Sequence, residues 1–198
     1  MSSMIDLLKK RRSIYAINKE IPVSQERIEE IVGQAVKYVP SSFNSQSARV
    51  LILFDEQHDK FWDLTKETLR KVVPEGQFAS TEDKMNSFRS GRGTVLFFEE
   101  QAIIEGLQQQ FALYADNFPV WSEQSSGMLQ LAVWTGLADE GVGASLQHYN
   151  PLVDEQVAKE WNVPSSWKLI AQMPFGGIAA QAGDKEFAPL EVRVRVAK

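Results

Sequence analysis

Arg193 and Arg195 stand two apart in a stretch, 190–196, where Leu190, Val192, Val194 and Val196 alternate with Glu191, Arg193 and Arg195. Period two predicts a strand with both arginines on one face, about 7 Å apart. Like charges side by side repel unless they share a counterion. A phosphate between them would resolve this, and the guanidinium fork suits it. Arg11, Arg12 and Ser13 form a second cationic cluster that carries a hydroxyl. The ordinary alternative for either cluster is a solvated charged face. Ser41, Ser42, Asn44, Ser45, Gln46 and Ser47 crowd small hydroxyls and amides into one loop around Phe43. Gly141 and Gly143 lead into residues 144–149, whose backbone can come close to a ligand and offer bare peptide N–H groups. The plainer reading of those glycines is a helix C-cap followed by a short strand. Taken together, two basic clusters, an amide-rich loop and a glycine-flanked backbone segment describe a site for a phosphorylated, planar ligand with polar edges.

Other chemistries find little support. His58 and His148 are the only histidines, and no H-x-x-x-H or H-E-x-x-H spacing is present, so a zinc site is not expected. His58 has Asp55, Glu56 and Asp59 as neighbours and is expected in a solvated turn. The chain has no cysteine, which excludes disulfides, Fe–S clusters and cysteine-held zinc. There is no G-x-S-x-G, no Walker A string and no G-x-G-x-x-G. A triad built on Ser145 and His148 stays open, although residues three apart on a strand face opposite ways. A net charge of −5 argues against a nucleic-acid partner. No run reaches the length of a membrane span and residues 1–10 lack a signal-like apolar core, so a soluble cytoplasmic protein is expected.

These groups need elements to position them. Helical spacing predicts a short helix from Met4 through Leu8 into the basic run 9–12, and a helix from an N-cap at Ser24 to Pro40. A buried strand is expected over 49–54 and an amphipathic helix over 59–73. Residues 75–93 are polar and irregular, with a short helix over 81–89, and are the best candidate for a mobile segment. Strands are expected over 94–98, 167–173 and 190–196, with a helix over 100–110 between the first two. A long helix running through 125–140 is apolar nearly all round, so it should be buried on all sides, a second subunit covering the face its own chain leaves bare. Asn150 and Pro151 read as N-cap and first residue of a helix over 151–161. With 198 residues, 43% apolar, and no repeat or linker, the chain reads as one α+β domain, 1–198.

The order of these pieces resembles the FMN-dependent nitroreductase family. The resemblance rests on Arg11-Arg12-Ser13, on Pro40 with Ser41, Ser42, Asn44 and Gln46, on Met173-Pro174-Phe175-Gly176, and on the C-terminal Arg193-x-Arg195. The strings over 117–127 and 143–151 are similar to the branch found in fungi and lactic-acid-type bacteria. The likeness spans nearly the whole chain. It departs from the family pattern at Tyr15, where many members carry a basic residue, and at Leu146-Gln147-His148-Tyr149, where many carry Pro-x-Glu-Gly.

The resemblance implies a central, mostly antiparallel sheet of four to five strands flanked by helices, and a homodimer with two FMN sites between subunits. It implies non-covalent FMN, reduced by NADH or NADPH and reoxidised by nitroaromatics, quinones or similar small acceptors. By the same likeness Arg11, Arg12, Ser13 and Tyr15 would hold the flavin, joined by Ser41, Ser42, Asn44 and Gln46 of the other subunit. Arg193 or Arg195, or both, would bind phosphate. Leu146, Gln147, His148 and Tyr149 would lie against the ring, a backbone N–H of Gln147, His148 or Tyr149 pointing at flavin N5, with no protein nucleophile required. Phe43, Phe88, Phe111, Tyr114 and Trp121 are candidates for an apolar wall around the acceptor. The alternatives are a flavin-binding stress or regulatory protein with incidental turnover, and a phosphate-ligand binder without redox chemistry.

Overall fold

The computed structural model describes residues 3–198. Seven helices surround one antiparallel sheet: α1 (Met4–Lys10), α2 (Gln25–Tyr38), α3 (Asp55–Arg70), α4 (Phe78–Arg89), α5 (Gln101–Gln110), α6 (Asn117–Asp139) and α7 (Asp154–Glu160). The strands are β1 (Ile17–Asn18), β2 (Ala48–Phe54), β3 (Gly93–Glu100), β4 (Gly143–Ala144) and β5 (Trp167–Ile178). Their order is β1-β5-β3-β2, and β4 pairs with β5 on the β1 side.

Strand β3 shows why the sheet sits where it does. Its side chains alternate faces, and all four apolar ones are buried. Val95 and Phe97 join α2 and α6 in one core with Ile28, Val32, Leu129 and Val133. Leu96 and Phe98 join α3, α4 and α7 in a second core with Phe61, Trp62, Met85 and Val157. A strand sandwiched between helical layers reads as continuous apolar sequence for this reason.

Several expectations need correcting. Strand β5 does not stop at Met173 but runs on through Pro174, Gly176 and Gly177 to Ile178. A Cβ at Gly177 would lie 1.9 Å from the Glu20 carbonyl oxygen, so this glycine is what lets β1 and its flank pack against the strand. Asn150 does not cap a helix. Its amide oxygen accepts from the Gln172 side chain, and α7 starts only at Asp154. Strand β2 is mostly half-buried, not buried, because it is the sheet edge. The expected C-terminal strand is absent. Among the described residues, the chain beyond Ile178 forms a single 3-10 turn at Leu190–Val192 and pairs with no strand. Its apolar side chains stand in solvent, Val192 at 76% exposure. Period two was real amphipathicity, but no strand edge of the same chain receives it. Residues 78–89 are anchored by Phe78, Met85 and Phe88, all buried.

His58 is also misplaced by the sequence reading. Helix α3 begins at Asp55 and turns His58 into the core, where it is fully buried. Its Nε2 faces the Arg89 carbonyl at 3.2 Å and so must carry the proton, leaving Nδ1 to accept from Thr94 Oγ1 at 2.8 Å. Trp62 Nε1 donates to the same Thr94 oxygen at 2.9 Å. The neutral imidazole is thus fully satisfied, and burial pulls its pKa down to about 4. The depressed value means that the unfolded chain binds the proton first. Stability from this group is therefore complete above the unfolded value near 6.5 and is lost progressively as pH falls to about 4. We expect a loss of about 3 kcal/mol over that window, removed in His58→Gln. Urea titrations of both proteins between those pH values check it; parallel slopes for the two would contradict the assignment.

Candidate functional site

Helix α1 delivers the basic cluster. Its N-terminus is closed by a Ser3–Asp6 capping box, and Lys9 and Lys10 complement its last turn. Leaving the helix, Ser13 bridges to Ala144, and the Ile14 N–H donates to the Ala144 carbonyl at 2.9 Å. Arg11 and Arg12 are thereby held beside β4. The Arg11 guanidinium lies 4.2 Å above the Trp134 ring of α6, and Arg12 Nη2 donates to the Gly183 carbonyl at 2.6 Å. Neither arginine has a carboxylate within ion-pair distance among the described residues. Burial and the adjacent Arg12 pull the Arg11 pKa below its ordinary value, the signature of a cation short of counter-charge. Arg11, Arg12, Ser13 and Tyr15 line one wall of a cleft of about 490 Å³, and the tail residues Ala180 to Lys185 line the other.

Beyond α6, Gly141 takes φ +77°, a left-handed turn open to glycine, and the chain then runs along the free edge of β5. Ser145 N–H donates to the Pro174 carbonyl, Gln147 exchanges both backbone bonds with Gln172 at 2.7 and 2.9 Å, and Tyr149 N–H donates to Gln172 Oε1 at 2.7 Å. Odd-numbered N–H groups are therefore spent inward. Those of Leu146 and His148 have no acceptor among the described residues. Of the three backbone positions named from sequence, His148 alone keeps a free N–H, and Leu146 adds a second. The Ser145 hydroxyl is buried and accepts from Gln147 Nε2 at 3.1 Å, whereas His148 is exposed; the two do not form a catalytic pair. Burial pushes the Tyr149 phenol up to about 12, so it stays protonated at neutral pH.

The amide-rich loop is strained. Phe43, Asn44 and Gln46 all have positive φ, 56°, 51° and 49°, each costing about 1–3 kcal/mol. Ser41 Oγ accepts from the Gln46 N–H at 3.0 Å, Arg49 Nη1 donates to the Gln46 carbonyl at 2.9 Å, and Ser47 Oγ donates to buried Glu99 Oε2 at 2.6 Å. These bonds hold the Asn44 and Gln46 amides out toward solvent, with no partner among the described residues. The loop's twist also inserts Phe43 among Phe111, Tyr114, Phe118 and Trp121, its ring stacked on Trp121 at 20°. Phe88 is not part of this cluster; it packs on Trp62 in the other core and is wholly buried.

One chain does not bring all these groups together. Ser41, Asn44 and Gln46 line a separate small cavity of about 40 Å³ beside Glu99, and no loop residue lines the cleft under Arg11. Arg193 and Arg195 are exposed, outside that cleft and without salt bridges among the described residues.

The sequence profile of the nitroreductase family matches residues 8–177. The chain belongs to the nitroreductase family. It is similar over 99% of its length to the whole of the Lactococcus lactis nitroreductase CinD, solved in complex with chloramphenicol, at 49% identity and a TM-score of 0.91. It is 33% identical over 196 residues to the putative nitroreductase HBN1 of Saccharomyces cerevisiae, covering 98% of this chain and 97% of that one. A putative nitroreductase of Desulfovibrio desulfuricans, solved with FMN, shares the fold at a TM-score of 0.72 over 100% of this chain and 98% of that one, but only 17% of its sequence. The nitroreductase fold seen here is the expected one, an α+β arrangement with a five-stranded antiparallel sheet. Two groups at the site escaped the sequence reading. Trp134, which stacks under Arg11, lies within the apolar run 125–140 and carries no mark of its own there. Gln172 does carry a signal, an amide in the run Leu169-Ile170-Ala171-Gln172-Met173, because a buried amide must have partners.

Proposed function

We propose that this nitroreductase-family protein is a homodimeric, FMN-dependent NAD(P)H oxidoreductase acting on nitroaromatics, quinones or similar small acceptors. One observation carries the reading furthest. The chain builds two complementary half-sites, cationic with free N–H groups on one side, amide-rich and aromatic on the other, and leaves them apart. A second copy joins them, and the uncovered Val192, Val194, Val196, Met128 and Leu131 supply apolar surface for that contact. The family relationship supports it, as does FMN in a protein of the same fold and chloramphenicol in the 49% identical one.

In this reading Arg11, Arg12 and one or both of Arg193 and Arg195 bind the phosphate, which satisfies cations that lack carboxylates. Ser13 and Tyr15 meet the polar edge, with Ser41, Ser42, Asn44 and Gln46 of the second copy closing over it. The segment Leu146 to Tyr149 lies against the ring, His148 and Leu146 offering fixed N–H dipoles where charge develops. Bound FMN would supply the hydride chemistry that links nicotinamide to acceptor. The aromatic group around Phe43 gives the acceptor a dry, flat surface. Lack of cysteine fits work in the reducing cytoplasm. No helix is long and apolar enough to cross a membrane among the described residues.

The protein should purify yellow. Heat or acid should release a flavin with the mass of FMN, since the basic clusters suit a terminal monophosphate. A colourless protein that FMN cannot reconstitute would sink the proposal.

A further inference from the structure

Strand β5 is apolar from Leu169 to Phe175 except at Gln172, which is wholly buried. A leucine would fill the same space without a desolvated amide, so packing does not account for it. The bonds Gln172 makes do account for it. Its Oε1 accepts from Tyr149 N–H at 2.7 Å. Its Nε2 donates to Asn150 Oδ1 at 3.3 Å. Its own N–H and carbonyl exchange bonds with Gln147 at 2.9 and 2.7 Å. All four bonds go to residues 147–150, and they fall on both sides of His148. The Gln147 carbonyl, which shares its peptide plane with the His148 N–H, is held by the Gln172 backbone, and the next plane, through the Tyr149 N–H, is held by the Gln172 side chain, while the His148 N–H itself stays free.

We infer that Gln172 is a positioning residue: it fixes the His148 peptide plane so that the N–H points outward at a set angle toward the bound ring. The inference rests on the proposed FMN site, because it takes the ring to lie against Leu146 to Tyr149. Gln172 itself touches neither ring nor acceptor. It replaces the sheet partner that residues beyond Gln147 lack, and it does so with a side chain because the last backbone pairing of this segment with β5 is at Gln147. A free N–H on an unclamped loop would have to be ordered each time charge develops; on a clamped one it is ordered in advance.

The experiment uses full-length protein in wild-type, Gln172→Leu, Gln172→Glu and Leu169→Ala forms. Leu169 packs in the core from the same strand and serves as a control for simple loss of stability. Hydrogen exchange of the peptide spanning 143–150 is measured on cofactor-free protein, and flavin reduction by saturating NADH or NADPH on FMN-loaded protein. Gln172→Leu is expected to speed exchange of that peptide at least about tenfold. With FMN still bound, it should slow reduction at least about tenfold while leaving the donor KM within about threefold. Leu169→Ala should lower stability without either change. Gln172→Glu adds a readout that a packing role would not move. A protonated carboxyl reproduces both side-chain bonds, accepting from Tyr149 and donating to Asn150; an ionised one cannot donate. Burial raises the pKa of such a carboxyl, so this variant should reduce flavin like wild type at acid pH and lose rate as pH rises, a step that wild type lacks. Unchanged exchange in Gln172→Leu, an equal rate loss in Leu169→Ala, or a flat pH profile in Gln172→Glu overturns the inference. If Gln172→Leu does not fold, the Gln172→Glu profile decides alone. If wild type holds no FMN, the proposed site is what fails, and the role of Gln172 in aiming the His148 N–H at a ring falls with it.

Discussion

A chain ending at Ala180 is expected to fold, to remain monomeric at low micromolar concentration, and to bind FMN at least about a hundredfold more weakly than the full chain. Folding should survive because both cores close without the tail; neither contains a residue beyond Phe175. Ala179 and Ala180 keep their bonds to the Ala16 carbonyl in the shortened chain. What goes is the exposed apolar run through Phe187, Leu190, Val192, Val194 and Val196, which has no strand to pair with in its own chain. The far wall of the cleft under Arg11 and Arg12 goes with it, as do Arg193 and Arg195. One lost charge-assisted phosphate contact costs about 1.5–3 kcal/mol, so Arg195→Ala alone should weaken FMN about ten- to a hundred-and-fifty-fold and leave folding intact. The truncation removes that contact together with the cleft wall. Sedimentation gives the assembly state, and quenching of flavin fluorescence gives affinity. A truncated dimer with full FMN affinity would show that the tail neither joins the copies nor completes the site.

The tail also shows what could be read from the sequence and what could not. Period-two alternation over 190–196 reports that one face wants to be covered; it does not report by what. Contacts between chains leave no separate mark in the pattern of one chain. Helix α2 was legible because its apolar stripe faces the core of the same chain, and α6 because its apolar residues cover more than one face, the inner one packed in that core. His58 was legible in principle. With Phe61, Trp62, Thr65 and Leu69 it follows the spacing of a buried helical stripe. Periodicity, not the nearby acids Asp55, Glu56 and Asp59, is what places it inside. The basic cluster, the amide loop and the backbone segment were each identifiable by residue type. Their strain, the positive φ at Phe43, Asn44 and Gln46, was not, since none is glycine. Nor was the division of the 143–149 segment into spent and free N–H groups, which depends on its register against β5 and on the side chain of Gln172.

Substitution at His148 separates backbone from side chain at the proposed chemistry. An imidazole beside a redox ring invites the role of general acid. The structure argues for the backbone. His148 is exposed and its ring makes no hydrogen bond among the described residues, so nothing orients it. Its N–H, by contrast, is free and held between two clamped neighbours. His148→Ala keeps that N–H. It should retain FMN and lose less than about tenfold in flavin reduction, below the 10²–10⁴ typical of a general acid or base. His148→Pro deletes the N–H and restricts Gln147 before it. Loss of one fixed dipole at a developing charge costs about 10²–10³ in rate, so this variant should fall at least about a hundredfold even where FMN still binds. Stopped-flow reduction by NADH and by NADPH, followed at the flavin absorbance, compares the two. If the alanine variant drops about a thousandfold with flavin bound, the imidazole carries the proton and the N–H does not matter. If proline is tolerated, neither the free N–H nor the clamp that Gln172 provides has a part in catalysis.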